Sequence, residues 1–547
     1  MQCDLLIKSG TIVDGTGRDR FEGDVAVRGG KIIGVFPAGA SLRENFEAGS
    51  VLDAGGLTVC PGFIDMHSHS DLVMHLEEHP KLLTCLMEQG ITTLVGGNCG
   101  FSLAPLAKGS KHLDLVLNGC EFISEGIPDI QWDSMASYLG TLERRGVALN
   151  LAMLAGHGTL RWSLWGTDYA YPGETEMAKM EGIVEESFKA GACGLSLGLG
   201  YEPGMFVDMR ELEQLARCVK KHGRLLTVHL KALSRISPAY RMSLFPGEGH
   251  NLRALADVIK LSEKTGVKIQ ISHLMFVGTK TWPSCGLALD MIAQARSRGV
   301  DIAFDSFPYM YGNTTIYIAF PAWFLKNAEE NFRRPLARGR LRLEWLLMSR
   351  LLGFTVGDIL LMWGGHPEMD KYKGKSFSEI ARDMNCSVFD AVIKVGRLSL
   401  GKACCLFPNY NSEETLRQIL AHPLNTFETD AIITSKGLGN PSAFGACPGV
   451  IQKYHKELGI LSLEEAVAKM TGNSARRLGI RDRGALEAGN WADITVFDYN
   501  EIRDNTTLSD TGARPSGIRH VFINGEEVVR NGAAVPGKKS GKVLRCC

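Results

Sequence analysis

"CPGFIDMHSHSD" occupies residues 60–71. It runs apolar for several residues and then delivers His67, His69 and Asp71 within five positions. A strand that served only as core would not end in imidazoles. Residues i and i+2 of a strand point to the same side. His67 and His69 can therefore face one way and grip one ion.

The chain downstream decides the architecture. Short apolar runs recur at 91–98 (ITTLVGGN), 147–156 (VALNLAMLAG), 193–199 (CGLSLGL) and 225–230 (LLTVHL). They continue at 267–274 (VKIQISHL), 300–307 (VDIAFDSF) and 425–431 (NTFETDA). With 62–67 they make eight. Amphipathic helical patterns separate them, such as 134–146, 175–191 and 252–266. Near-continuous apolar strands alternating with helices predict a parallel sheet, and eight such units predict a closed (β/α)8 barrel of the TIM type, an α/β fold. The connection from about 308 to 424 is too long for one loop, so an inserted subdomain or lid is expected over about 310–420. Its basic run, FRRPLARGRLRLEW (332–345), reads as a solvated surface.

The flanks have another texture. Residues 1–59 and 484–547 are short β-rich segments punctuated by glycines. They predict a small β-sandwich assembled from both chain ends around a catalytic barrel at 60–483.

Composition bounds the rest. The 547 residues are 45% hydrophobic and 22% charged, and 60 Lys plus Arg balance 60 Asp plus Glu. That balance gives no support for a nucleic-acid partner. No apolar run reaches about 18 residues and no signal sequence opens the chain, so no membrane segment is expected and a cytoplasmic protein acting on a small molecule is. The 14 cysteines form no CxxC pair and read as reduced, mostly buried thiols.

Active sites of such barrels lie at the C-terminal strand ends. There stand His67 and His69, Cys99, His229, His273 and Asp430. Imidazole, thiolate and carboxylate are the ligands zinc prefers. Each has a plainer reading: His229 as an ordinary polar residue, Cys99 as a small buried hydrophobe, Asp430 as a turn residue. Their joint placement on one rim favours a metal. His157, at the end of the third strand, could line the pocket.

At these residues the chain resembles the amidohydrolase superfamily, and more closely the N-acyl-D-amino-acid deacylases (D-aminoacylases). The likeness runs nearly end to end, through PGFIDMHSHSD, GNCGFSLAP, AGHGTLR, GACGLSLGLGYEPG, QISH, DSFPYMYGNTT and LSLEEAVAKMTGNSARRLGIRDRGALEAGNWADITVFD. The resemblance implies that Cys99, His229 and His273 hold a tight zinc. His67, His69 and Asp430 then surround a second, weaker site, empty or partly filled. It makes Asp430 the catalytic proton shuttle and Tyr201 a substrate contact.

The family's anionic-substrate anchors are altered. Met275 stands where a Lys is usual, Asn440, Pro441 and Ser442 replace His-Pro-Arg, and Lys231-Ala232-Leu233 replaces R-x-E. A buried carboxylate without a cation is costly. With Phe276, Phe307, Tyr309, Tyr311, Tyr317 and Trp323 nearby in sequence, the pocket is expected to favour neutral or apolar amides, Met275 and Tyr309 touching substrate. Lys231, Lys280 or Arg235 could supply a relocated cation. The alternatives keep the metal chemistry for an ester, lactone or carbamate, or drop enzymatic function for a scaffold role.

Overall fold

The computed structural model describes residues 2–38, 46–120, 129–237, 239–240, 249–325, 327–399, 401, 403–436 and 438–546. Cys547 lies outside them. Among the described residues, eight parallel strands form the barrel: β1 (Phe63–Asp65), β2 (Ile91–Gly96), β3 (Asn150–Gly156), β4 (Gly194–Gly198), β5 (Leu225–His229), β6 (Lys268–Ile271), β7 (Ile302–Ser306) and β8 (Asn425–Phe427). Each pairs with its neighbour in chain order. Closure between β8 and β1 continues past the strands, through Asp430 N–H to the His67 carbonyl at 3.0 Å and His69 N–H to the Ala431 carbonyl at 3.0 Å. Every residue of β3 is buried, as expected for a strand covered on both faces.

The helices begin and end where local chemistry says they should. Met135–Arg145 starts on Ser134, whose hydroxyl accepts from Ser137 N–H, and stops at Gly146, whose φ of +75° suits glycine. Met209–Lys221 starts on Asp208, which caps Arg210 N–H. His250–Thr265 ends at Gly266 in the left-handed region.

Between β7 and β8 the chain builds a subdomain of its own. Its antiparallel sheet runs Gly312–Thr315, Cys404–Phe407, Leu360–Trp363. A separate apolar core, including Ile316, Phe320, Phe324 and Phe377, supports it. The run at 332–345 falls largely in the helix Pro335–Leu352, which buries only Leu341 and Trp345 and leaves Leu336 and Leu343 exposed.

A second large sheet joins the chain ends. Its strands come from Gln2–Pro61 and Ile494–Ala534, with Thr58–Pro61 paired to Ile494–Phe497. The strand Thr58–Pro61 leads straight into β1. Buried Asp493 ties this sheet to the barrel floor, bonding Arg483 and, at 3.0 Å, the Asn150 amide of β3.

One expectation fails. Cys193 and Cys546 form a disulfide, with Cα atoms 5.0 Å apart. The last strand, Val543–Leu544, pairs with β3 and carries Cys546 to the residue before β4. A separation of 353 residues leaves no trace in spacing. The other described cysteines are free, nearly all of them buried. No described helix is long and apolar enough to cross a membrane.

Candidate metal centre

The centre is built at the barrel's C-terminal rim by backbone that ordinary residues avoid. Cys99, His273 and Asp430 have φ of 54°, 34° and 47°. Non-glycine residues seldom sit there, and they persist only where neighbours enforce it. For Cys99 the enforcers are Tyr201, whose hydroxyl donates to the Cys99 carbonyl at 2.8 Å, and Ser196, whose Oγ takes Gly100 N–H at 3.0 Å. Gly198 leaves room for the turn, since a Cβ there would run into the Cys99 carbonyl oxygen. His273 is held by its N–H on Asp305 Oδ1 at 2.6 Å. Asp430 follows Thr429, which donates twice to Asp65, while the Asn440 amide donates to the Asp430 carbonyl at 3.2 Å.

Four donor atoms converge. Cys99 Sγ lies 3.3 Å from His67 Nε2, 3.5 Å from His229 Nδ1 and 3.3 Å from His273 Nε2. His229 Nδ1 and His273 Nε2 are 2.9 Å apart. Asp430 Oδ1 stands 3.7 Å from His67 Nε2 and 3.5 Å from His69 Nε2. Three sets meet on shared His67: His67, Cys99, His273; His67, His69, Asp430; and, on the side of its Nδ1, His67, Asp305, Glu428. The rings are buried apart from His229, and Asp430 is 19% exposed, so water and ligand reach the centre from that side.

The donors fit zinc. A thiol and three imidazoles that face one another supply more acceptors than protons, and Nδ1 of His67, His69 and His273 finds no hydrogen bond. Burial lowers the pKa of His67 and of His273 to about 3, and that of His229 well below the usual value. All three are thus neutral ligands at pH 7. Burial, then the Asp430 charge, pushes the Cys99 thiol up. Burial, then Asp305, does the same to Asp430. A divalent cation reverses this logic, favouring thiolate and carboxylate.

Other residues singled out in the sequence lie as follows. Tyr201 stacks on Phe101 at 5.1 Å and meets His229 edge-on at 4.7 Å. His157 is fully buried, its Nε2 2.8 Å from Glu211, which also pairs with Arg161. Met275 packs with Phe307, Tyr309 and Ala446, against Tyr311 and Tyr410. The Tyr309 hydroxyl is turned to Asp504 at 2.6 Å. Lys231 lies 5.6 Å from the Tyr240 ring, and Lys280 and Arg235 are exposed. Two carboxylates without a sequence motif of their own stand behind His67: Asp305 and Glu428, at 3.6 and 3.7 Å from its Nδ1. A signal for them exists: Asp305 is an acid near the end of the apolar strand β7, and Glu428 directly follows β8, two residues before Asp430. A further trio, Glu185, Cys218 and His222, sits on the outer helices, where Lys221 already pairs with Glu185.

Known proteins share this organisation. N-acyl-D-glutamate deacylase of Alcaligenes xylosoxydans xylosoxydans is 33% identical over 99% of this chain and 96% of its own length. This chain belongs to the N-acyl-D-amino-acid deacylase family. It is also 30% identical to the D-aminoacylase of the same organism, over 99% of this chain and 97% of that one, and residues 451–529 match the amidohydrolase family. Among solved structures, the N-acyl-D-glutamate deacylase of Bordetella bronchiseptica, complexed with zinc and a phosphonate mimic of the tetrahedral intermediate, superimposes with a TM-score of 0.79 at 29% identity, covering both chains fully. A D-aminoacylase described as having a binuclear metal centre gives 0.79 at 26%, over 99% of this deacylase-family chain and 100% of that one.

Proposed function

We propose that this protein is a zinc-dependent hydrolase that cleaves the amide bond of an N-acyl amino acid or a related amide. The observation that carries the reading is the cluster of Cys99 Sγ, His229 Nδ1 and His273 Nε2 within 2.9–3.5 Å, beside the Asp430 carboxylate. Cys99, His229 and His273 would hold a tight zinc, and His67, His69 and Asp430 a weaker second ion. Zinc in such a site supplies the Lewis acidity that makes water a nucleophile at neutral pH and polarises a carbonyl. Asp430 takes the proton that the attacking water sheds and passes it to the departing nitrogen. An amine leaves poorly unless protonated, so the transfer is required. Tyr201 holds the Cys99 turn and presents its ring to the substrate side.

The substrate scope is shifted toward neutral or apolar amides. Met275, Phe307, Tyr309 and Ala446 pack together as one apolar cluster, and the Asn440 amide is spent on the Asp430 backbone. A carboxylate buried there without a partner loses several kcal/mol. This separates the chain from relatives named for acidic substrates, N-acyl-D-glutamate and N-acyl-D-aspartate. The same proposal has the enzyme work on a small molecule in the cytoplasm.

A hydrolysis panel on zinc-replete protein tests this. N-acetyl-D-leucine amide is expected to be cleaved faster than N-acetyl-D-leucine, with N-acetyl-D-glutamate slowest, and chelation should stop all three. Fastest turnover of N-acetyl-D-glutamate would contradict the scope. Activity that survives complete removal of metal would contradict the mechanism.

A further inference from the structure

Among the described residues, Glu428 is the carboxylate left with both oxygens unsatisfied in the interior. It follows β8 directly, its side chain is inaccessible to solvent, and neither oxygen has a hydrogen-bond partner. Such a group is expensive to bury unless a hydrogen-bond donor or a cation faces it. The group that faces it is His67. Glu428 Oε2 lies 3.7 Å from His67 Nδ1, which is itself buried and without a hydrogen bond. The opposite ring nitrogen, Nε2, is turned to Cys99 and Asp430. Asp305 also approaches Nδ1, at 3.6 Å, but its Oδ1 already accepts from His273 N–H at 2.6 Å and its Oδ2 from the Gln270 amide at 2.9 Å. Glu428 has no such prior engagement.

A metal-ligating imidazole commonly gives its second N–H to a carboxylate, which fixes the tautomer and raises the ligand's basicity. We propose that Glu428 is a positioning residue of the metal centre: it takes the Nδ1–H of His67, keeps Nε2 bare toward the His67–His69–Asp430 site, and raises that site's affinity for a divalent cation. The inference rests on the metal-centre reading above. It concerns the weaker site, because Cys99, His229 and His273 can hold an ion without His67.

The test is a cobalt(II) titration of metal-free, full-length protein as wild type, Glu428→Gln and Glu428→Asp. Thiolate-to-cobalt charge-transfer absorption reports the Cys99 site. Visible ligand-field absorption beyond the first equivalent reports the second. In Glu428→Gln the second equivalent is expected to bind about 10–100-fold more weakly, the range seen when such outer partners are lost, while the charge-transfer band titrates as in wild type. Glu428→Asp restores the charge at a longer reach and should fall between the two. Glutamine keeps the volume and an oxygen that can accept from Nδ1–H while removing a buried charge, so this variant should melt no lower than wild type. A purely structural Glu428 would instead lower the melting temperature and weaken both equivalents alike. That result would overturn the proposal, as would an unchanged second equivalent in Glu428→Gln or a wild type that binds only one. A wild type that binds no cobalt at all would overturn the metal-centre reading, and this inference with it.

Discussion

Two side chains carry the chemistry of the proposed function, and each makes a prediction of its own. Asp430 is the part-exposed acid beside both HxH imidazoles. Asp430→Ala should keep zinc at the Cys99 site yet lose turnover by about 10²–10⁴-fold, the usual worth of a positioned proton carrier. Unchanged kcat in a zinc-loaded variant would remove Asp430 from the mechanism. Cys99 sets the pH dependence of metal uptake. Its thiol is pushed well above the usual value by burial and by Asp430, whereas His67 and His273 are pushed down to about 3. At pH 7 the imidazoles are already bare and the thiol is not. Zinc binding should therefore release about one proton, and affinity should rise about tenfold per pH unit across neutrality. Isothermal titration in buffers of different ionisation enthalpy measures this, and an affinity flat with pH would contradict it.

At the scale of elements, the centre depends on tight turns as much as on ligands. A methyl group at Gly198, in β4, would meet the Cys99 carbonyl oxygen and push the Cys99 turn off its position. Gly198→Ala should cost about 1–3 kcal/mol of stability and lower zinc occupancy, read by melting and by metal analysis. Wild-type occupancy in that variant would show that the turn has room to spare. Most of the eight barrel strands are legible in the sequence because they are short apolar runs, largely buried and bounded by polar turns, while β8, Asn425–Phe427, is legible mainly by its place in the alternation. Residues such as His229 and His273 are legible because they interrupt those runs at their ends. Other features leave no such mark. The left-handed backbone of Cys99, His273 and Asp430 is imposed by partners distant in the chain, such as Tyr201 and Asp305. The engagement of His157 with Glu211 joins two helices whose proximity no periodicity announces.

At the scale of the whole molecule, the two chain ends hold the barrel. The shared sheet and buried Asp493 brace its floor, and the tail pairs with β3 and is tied to Cys193. Cys546→Ser frees that tail and should lower stability by about 2–4 kcal/mol, the usual worth of such a crosslink. Thermal melting of the oxidised protein checks it, and an unchanged midpoint would show that the strand pairing suffices. The central claim is that residues far apart in sequence close around one zinc at the rim. Anomalous scattering from crystals of zinc-loaded protein, collected on both sides of the zinc edge, tests it most directly. The account predicts a strong peak bounded by Cys99 Sγ, His229 Nδ1 and His273 Nε2. Zinc peaks found only elsewhere, with those three atoms bare, would contradict it.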